Sequence, residues 1–448
     1  MRDLTNGGEA RTILNFTLPM LLGNVFQQLY TTGDSVVVGR FVGTEALGAV
    51  GASFPILFFM ISLIIGLTMG AGIMLSQFYG AKDMAKVKRT IATVYISLFW
   101  LALAMSILGF LFSRKILLAI NTPVEVLPSA VSYLQIMFSG LIFMFGYNII
   151  SSILRGLGDS KRPLYFLIFS SIVNIGLDLL FVLVCKWGIA GAAWATVIAQ
   201  GSAMFGAVLY MQFSGKPALK ISAGELRFDG TLFKTMLRLG LPMGAQHSLV
   251  SLGFIALTKI VNNFGPAAIA GYTAAARLDS FAAMPAMNIS MALATFVGQN
   301  LGAGRPERVQ RGFHAALVMG SGISLFMTVS MWLFPYQLVG LFTADPEVLK
   351  IGVEYLAVVA PFYIAFSGMF IIGGIMRGAG DTFVQMCITL GALWGIRIPA
   401  SVLLAGYFGT KGIWWGMPAA WVTGVTANYI YYLSGRWKTK VLVKTQNS

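Results

Sequence analysis

Long apolar stretches without charge alternate with short basic or glycine-rich segments along almost the whole chain. Stretches such as 90–112, 164–184, 189–212, 312–334 and 412–433 are each close to the roughly 20 residues that cross a bilayer core. Lipid offers backbone groups no hydrogen-bond partner, so such runs must be helices. Barrel strands would read as short segments alternating apolar with polar, and these are absent from the sequence. The pattern predicts twelve spans, near 13–38, 47–75, 90–112, 129–154, 163–185, 189–212, 232–261, 267–298, 312–334, 349–376, 382–406 and 412–434. Several exceed twenty residues, so tilt, kinks or protruding ends are expected.

The polar segments between spans repeat. Leu18-Pro19-Met20 recurs as Leu241-Pro242-Met243, and the turn Gly80 to Arg89 recurs as Gly302 to Arg311. Arg155-Gly156-Leu157-Gly158-Asp159 recurs as Arg377-Gly378-Ala379-Gly380-Asp381. Three matches in register near an offset of 222 define two copies of a six-helix unit. The expected domains are an N-terminal lobe over 1–212, a cytoplasmic linker over 213–231, and a C-terminal lobe with a short basic tail over 232–448. An even number of spans per copy makes both copies enter the membrane in one direction. They should then be related by a pseudo-two-fold axis along the membrane normal, as in transporters that alternate access by rocking two lobes.

Composition agrees. Hydrophobic residues make up 57% of the chain and charged residues 10%, against roughly 25% charged in soluble domains. The net charge of +15 could suggest nucleic acid. Its placement excludes that, because 22 of the 31 Lys and Arg fall in segments on one side of the membrane, from Arg2 and Arg11 to Lys440 and Lys444. By the positive-inside rule that side is the cytoplasm, which puts both termini there and the chain in the inner or plasma membrane. The basic segments meet the bilayer's anionic headgroups. Cys185 and Cys387 suggest no disulfide framework, and His247 and His314 make no ligand spacing with them. With no metal-site, phosphate-loop or catalytic-triad pattern, the chain reads as neither an enzyme nor a cofactor or metal protein. The repeated Arg-Gly-x-Gly-Asp reads as a helix C-terminus closed by glycine, with Asp159 or Asp381 capping the next helix.

Ionisable residues inside a membrane cost roughly 2.5–3.5 kcal/mol each on insertion scales, so they are functional candidates by default. Asp34 in the first span and Asp178 in the fifth both fall in the outer half of the membrane. Asn174 lies one turn before Asp178 on the same face. Asn24, Gln27, Thr31 and Asp34 form a polar stripe at spacings of three, four and three. Tyr133 and Thr196 lie at similar depth near the outer ends of the fourth and sixth spans. Converging carboxylates, an amide, a phenol and a hydroxyl could bind a proton through a hydrogen-bond network. The alternatives are that these groups satisfy one another structurally, or that Asp34 faces water. The second lobe has no carboxylate at the matching positions and carries Lys259, Arg277 and Arg397, with Asp279 two residues from Arg277. Pairing with a carboxylate or snorkelling accounts for such cations, and a substrate or gating role for Arg277 or Arg397 stays open. The 23 Met and 33 Phe suit a repacking, promiscuous pocket, though most must be packing.

The early Leu-Pro-Met, the stretch Tyr30-Thr31-Thr32-Gly33-Asp34-Ser35-Val36-Val37-Val38-Gly39-Arg40, the Arg-Gly-x-Gly-Asp turns and Asn174-Ile175-Gly176-Leu177-Asp178 resemble the multidrug and toxic compound extrusion (MATE) family over essentially the whole chain. The resemblance implies a twelve-helix, two-lobe antiporter that exports cationic or amphipathic drugs in exchange for H⁺ or Na⁺, working as a monomer. It is nearest the DinF-type branch. There the residues matching Asp34, Tyr133, Asn174, Asp178 and Thr196 form the cation-coupling network, and the one matching Gln27 lines the drug cavity. The NorM-type branch keeps an acidic residue in the seventh span, where this chain has Gln246-His247-Ser248. That departure favours coupling through the first lobe. Asn24, Thr31, Arg277 and Arg397 complete the expected cavity set. A flippase for a lipid-linked precursor is the alternative of related architecture, and it would favour a strongly basic central cavity.

Overall fold

The computed structural model describes residues 3–443, apart from the side chains of Leu29, Asp34, Ser35, Val36, Val37, Thr44, Leu47 and Ala223. Arg2, Lys444 and the Asp34 side chain therefore lie outside the described residues. Every regular element among them is helical. In the first repeat the spans are α1 (Glu9–Val37), α2 (Thr44–Gly80), α3 (Met84–Ala119), α4 (Leu127–Ser139 and Leu141–Gly156), α5 (Lys161–Asp178) and α6 (Gly188–Phe213). In the second they are α7 (Gly230–Asn262), α8 (Pro266–Gly302), α9 (Pro306–Leu333), α10 (Pro346–Val359 and Tyr363–Ala379), α11 (Thr382–Leu390 and Ile398–Phe408) and α12 (Thr410–Leu433).

Twelve spans match the twelve apolar runs. Eight are long and apolar enough to cross a membrane as single spans, and α4 makes a ninth, bent by 47° at Gly140. The other three, α1, α7 and α12, carry more polar, Tyr or Trp side chains, which lowers their hydropathy. Large apolar residues such as Trp100, Leu111, Val318 and Trp332 are exposed. A soluble protein could not present so much apolar surface. Here it is the face that meets lipid.

The chain forms two compact units, Leu18–Leu241 and Asp3–Thr17 with Pro242–Ser448. The opening residues, expected in the N-terminal lobe, thus pack within the second unit, and residues 213–231 within the first. The reason lies in polar contacts at the turns between spans. Arg305 donates to the Thr5 carbonyl at 2.7 Å, and Arg308 donates to the Gly7 carbonyl at 2.9 Å. Arg308 also pairs with Glu9 at 3.2 Å. In the first unit, Lys88 binds Glu225 at 2.7 Å and Lys216 approaches Asp159 to 3.8 Å.

Each unit is held at close range by small residues, which membrane helices need because lipid supplies no hydrophobic drive between them. The buried face of α6 is Ala192, Ala195, Ala199, Ala203 and Ala207. Ser152 on α4 donates to the Thr68 carbonyl of α2 at 2.5 Å. In the second unit its counterpart is Gly374, whose absent Cβ would sit 2.7 Å from the Ser290 carbonyl. The repeated glycine turns behave as read from the sequence. Gly158 and Gly380 adopt left-handed backbones (φ 83° and 98°), and the amides one residue later reach back to Leu154 and Met376. Asp159 then accepts from the Arg162 amide at 3.3 Å. Asp381 caps nothing with its side chain, and accepts the Tyr431 hydroxyl instead.

Candidate functional site

In the first unit Asn174 and Asp178 lie one turn apart on α5, at 0% and 1% exposure. Neither amide atom of Asn174 has a hydrogen-bond partner among the described residues. Asp178 closes the regular part of α5, and the next six residues, Leu179–Val184, wind as a wider π turn. Such turns interrupt the backbone ladder and recur at functional sites. Tyr133 on α4 and Thr196 on α6 are also buried, and the Thr196 hydroxyl donates to the Ala192 carbonyl at 3.1 Å. α6 packs against both α4 and α5, so the four residues belong to one helix cluster. Asp34 lies on α1, four residues before another π turn, Val38–Val42.

The other first-lobe candidates sit differently. Asn24, Gln27 and Thr31 are exposed along one face of α1, and the Thr31 hydroxyl donates back to the Gln27 carbonyl at 3.1 Å. The first unit also holds an apolar cavity of about 420 Å³ lined by Tyr95, Phe99, Trp100, Phe145, Met204 and Val208. None of the three polar α1 residues lines it.

The second unit holds a smaller cavity of about 170 Å³, lined by Gln246, His247, Phe254, Thr389, Arg397 and Trp421 among others. Arg397 is 6% exposed and ends a π turn, Gly391–Arg397, within α11. Its guanidinium stands 5.4 Å from the centre of the Phe254 ring. Nε and Nη2 have no hydrogen-bond partner among the described residues. Arg277 is exposed on α8 and does not line this cavity, and Lys259 is exposed on α7. Asp279 does not take Arg277, because residues two apart on a helix point away from each other. It accepts the hydroxyls of Tyr355 and Tyr363, both buried on α10.

The MatE family model matches residues 19–180 and again 242–403, one copy on each sequence repeat. The chain belongs to the MatE family. This MatE chain is 33% identical over 440 residues to the probable multidrug resistance protein YpnP of Bacillus subtilis (strain 168), covering 98% of each chain. It is 26% identical to a probable multidrug resistance protein NorM of Thermotoga maritima, covering 97% of this chain and 94% of that one. A MATE crystal structure in the bent conformation superposes with a TM-score of 0.91 over 98% of both chains, at 21% identity. The MatE protein is therefore a multi-pass membrane transporter, from a family of transporters rather than enzymes, and small molecules are its cargo class.

For this MatE transporter, the residue that sequence reasoning undervalued is Asp279. Its neighbour Arg277 suggested a local ion pair, whereas its partners lie 76 and 84 residues away. The available signal was Tyr355 and Tyr363, two phenols spaced eight residues apart in a span that otherwise needs no hydroxyl.

Proposed function

We propose that the protein is a proton-coupled exporter of cationic and amphipathic organic molecules in the cell membrane, with both termini cytoplasmic. The carrying observation is the Asn174 amide, wholly buried with neither polar atom hydrogen-bonded among the described residues, one turn from the buried Asp178. Leaving such a group unsatisfied costs about 1–3 kcal/mol, more beside a charge. The arrangement suits a site that cycles between a bound ion and a reordered network. Tyr133 and Thr196 supply a phenol and a hydroxyl to that network, and Asp34 the second carboxylate. Coupling in the first lobe fits the DinF-type branch, since the seventh span carries Gln246 and His247 where an acid would serve the other branch. The relatives named as multidrug resistance proteins support the cargo class.

The mechanism rests on charge. A cycle that returns one proton inward gains about 2.3 kcal/mol per 100 mV, which drives cargo outward. Proton uptake at Asp178 from the outer side neutralises the carboxylate and lets α5 repack at its π turn. Sodium could occupy the same carboxylate and amide oxygens, so the ion is decided by experiment. Proteoliposomes loaded with a cationic dye are given a proton gradient or a sodium gradient separately. Efflux driven by the proton gradient and abolished in Asp178→Asn is expected. Efflux driven by sodium alone would reassign the ion, and undiminished proton-driven efflux in the variant would overturn first-lobe coupling.

A further inference from the structure

Arg397 has no role in that cycle, yet it is, with Arg377, one of two cations buried in the second unit among the described residues. Its charge is 6% exposed in a span, where an uncompensated guanidinium is costly. The Asp279 carboxylate lies within Coulomb range of it without pairing with it directly: its two oxygens accept from Tyr355 and Tyr363. The Tyr272 hydroxyl also stands close enough to engage the guanidinium. Two of its donors remain unengaged. The wall beside it is aromatic, with Phe254 under the guanidinium and Phe366 and Trp421 around the cavity. Half-buried Gln246 and His247 and the buried Thr389 hydroxyl add donors on the same lining.

Arginine presents a planar fork that matches a carboxylate or phosphate with two parallel bonds. We propose that this second-lobe cavity is a cargo subsite for an anionic group, a carboxylate above all, carried on an aromatic or apolar body. Nε and Nη2 of Arg397 take the two oxygens, and the ring lies against Phe254, Phe366 and Trp421. A cavity of about 170 Å³ accepts a body the size of one or two fused rings. The subsite rests on the export reading only in that its ligand is cargo. It widens the cargo from organic cations to zwitterionic and anionic amphiphiles.

The test is calorimetric binding of 2-naphthoate and of the neutral 2-naphthalenemethanol to the purified full-length protein in phosphatidylcholine nanodiscs, without any ion gradient. Naphthoate is expected to bind at least tenfold tighter than the alcohol. Arg397→Gln should lose that preference, and Arg397→Lys should keep part of it. Equal binding of acid and alcohol by the unaltered protein overturns the proposal even if the variants fail to fold. An undiminished preference in Arg397→Gln overturns it too. Phosphatidylglycerol added to the nanodiscs tests the other source of an anion, and abolition of naphthoate binding by that lipid would assign the site to headgroups instead of cargo. A failed dye-efflux assay leaves these binding results standing, and a failed binding assay leaves ion coupling untouched.

Discussion

The two units share turns, glycines and helix order, yet they bury opposite chemistry. The first holds an acid and an amide, Asp178 and Asn174, against a π turn, and the second holds a guanidinium, Arg397, at the end of another. The second unit also half-buries a carboxylate, Asp279, but two tyrosine hydroxyls occupy it. The first unit's amide has no such partner among the described residues. Duplication thus preserved what sets backbone geometry and released what sets charge. A buried polar group with its partners in place is structure. One without them is a candidate site.

The sharpest way to break that contrast is to remove each acid in turn. Asp178→Asn is expected to bring proton-driven dye efflux to the passive level. The energy removed, about 2.3 kcal/mol per 100 mV for one charge, corresponds to roughly fifty-fold in cargo accumulation. Asp279→Asn should retain ion-driven efflux and instead lower thermal stability, because an amide offers one acceptor oxygen to two hydroxyl donors. Reversal of the two outcomes in proteoliposome efflux and thermal unfolding would move the coupling site to the second lobe.

The next effect concerns the shared turns. A Cβ on Gly378 would lie 2.4 Å from the Ala294 carbonyl and 2.8 Å from Val297. At the matching Gly156 the nearest atom, the Gly72 carbonyl, is 3.0 Å away. Overpacking costs about 1–3 kcal/mol, while Gly→Ala in a helix returns about 1 kcal/mol. Gly378→Ala should therefore destabilise by up to about 2 kcal/mol, and Gly156→Ala should be close to neutral. Equal melting temperatures for the two variants would mean that the lobes are packed alike at this turn.

The fold was readable because span length and turn chemistry are local. Apolar runs located the twelve spans, and repeated glycines located the helix ends. What stayed hidden depends on contacts distant in sequence. Nothing in the run 129–154 marks the 47° bend at Gly140. That glycine is needed because Val197 on α6 would meet its Cβ at 2.4 Å. The π turns beside Asp178 and Arg397 leave no compositional trace. Arg277 and Arg397 look alike in sequence, and only the packing of α11 buries the second. Of the first-lobe candidates, Asn174 and Asp178 share a face by helical spacing alone, and the MATE resemblance grouped Tyr133 and Thr196 with them.

A smaller effect separates the two repeated turns. The matching turns after α2 and α8 both hold a polar segment, but with unequal grip. Arg308 is largely buried and bonds Asn300, Glu9 and the Gly7 carbonyl at 3.1, 3.2 and 2.9 Å. Lys88 makes one exposed pair with Glu225. Arg308→Ala should expose residues 3–9 to hydrogen exchange about ten-fold faster, the loss of roughly 1.4 kcal/mol expected for charge-assisted bonds. Lys88→Ala should change exchange over 222–229 by less than about fivefold, as exposed ion pairs are weak.

The least effect is the one that pH reveals. Bonds from Lys88 first, then from the Ser222 amide and hydroxyl, hold the Glu225 carboxyl down at about 2 from its ordinary 4.5. A depressed carboxylate contributes fully above its unfolded value and loses that contribution as pH falls through the folded one. Exchange protection of 222–229, compared at matched intrinsic rates, should therefore be flat from pH 7 to about 5 and decline from about 4.5 toward 2. Glu225→Gln should be flat throughout, at the lower level. Protection that falls already between pH 7 and 6 in the unaltered protein would mean that another group, not this pair, fastens residues 222–229.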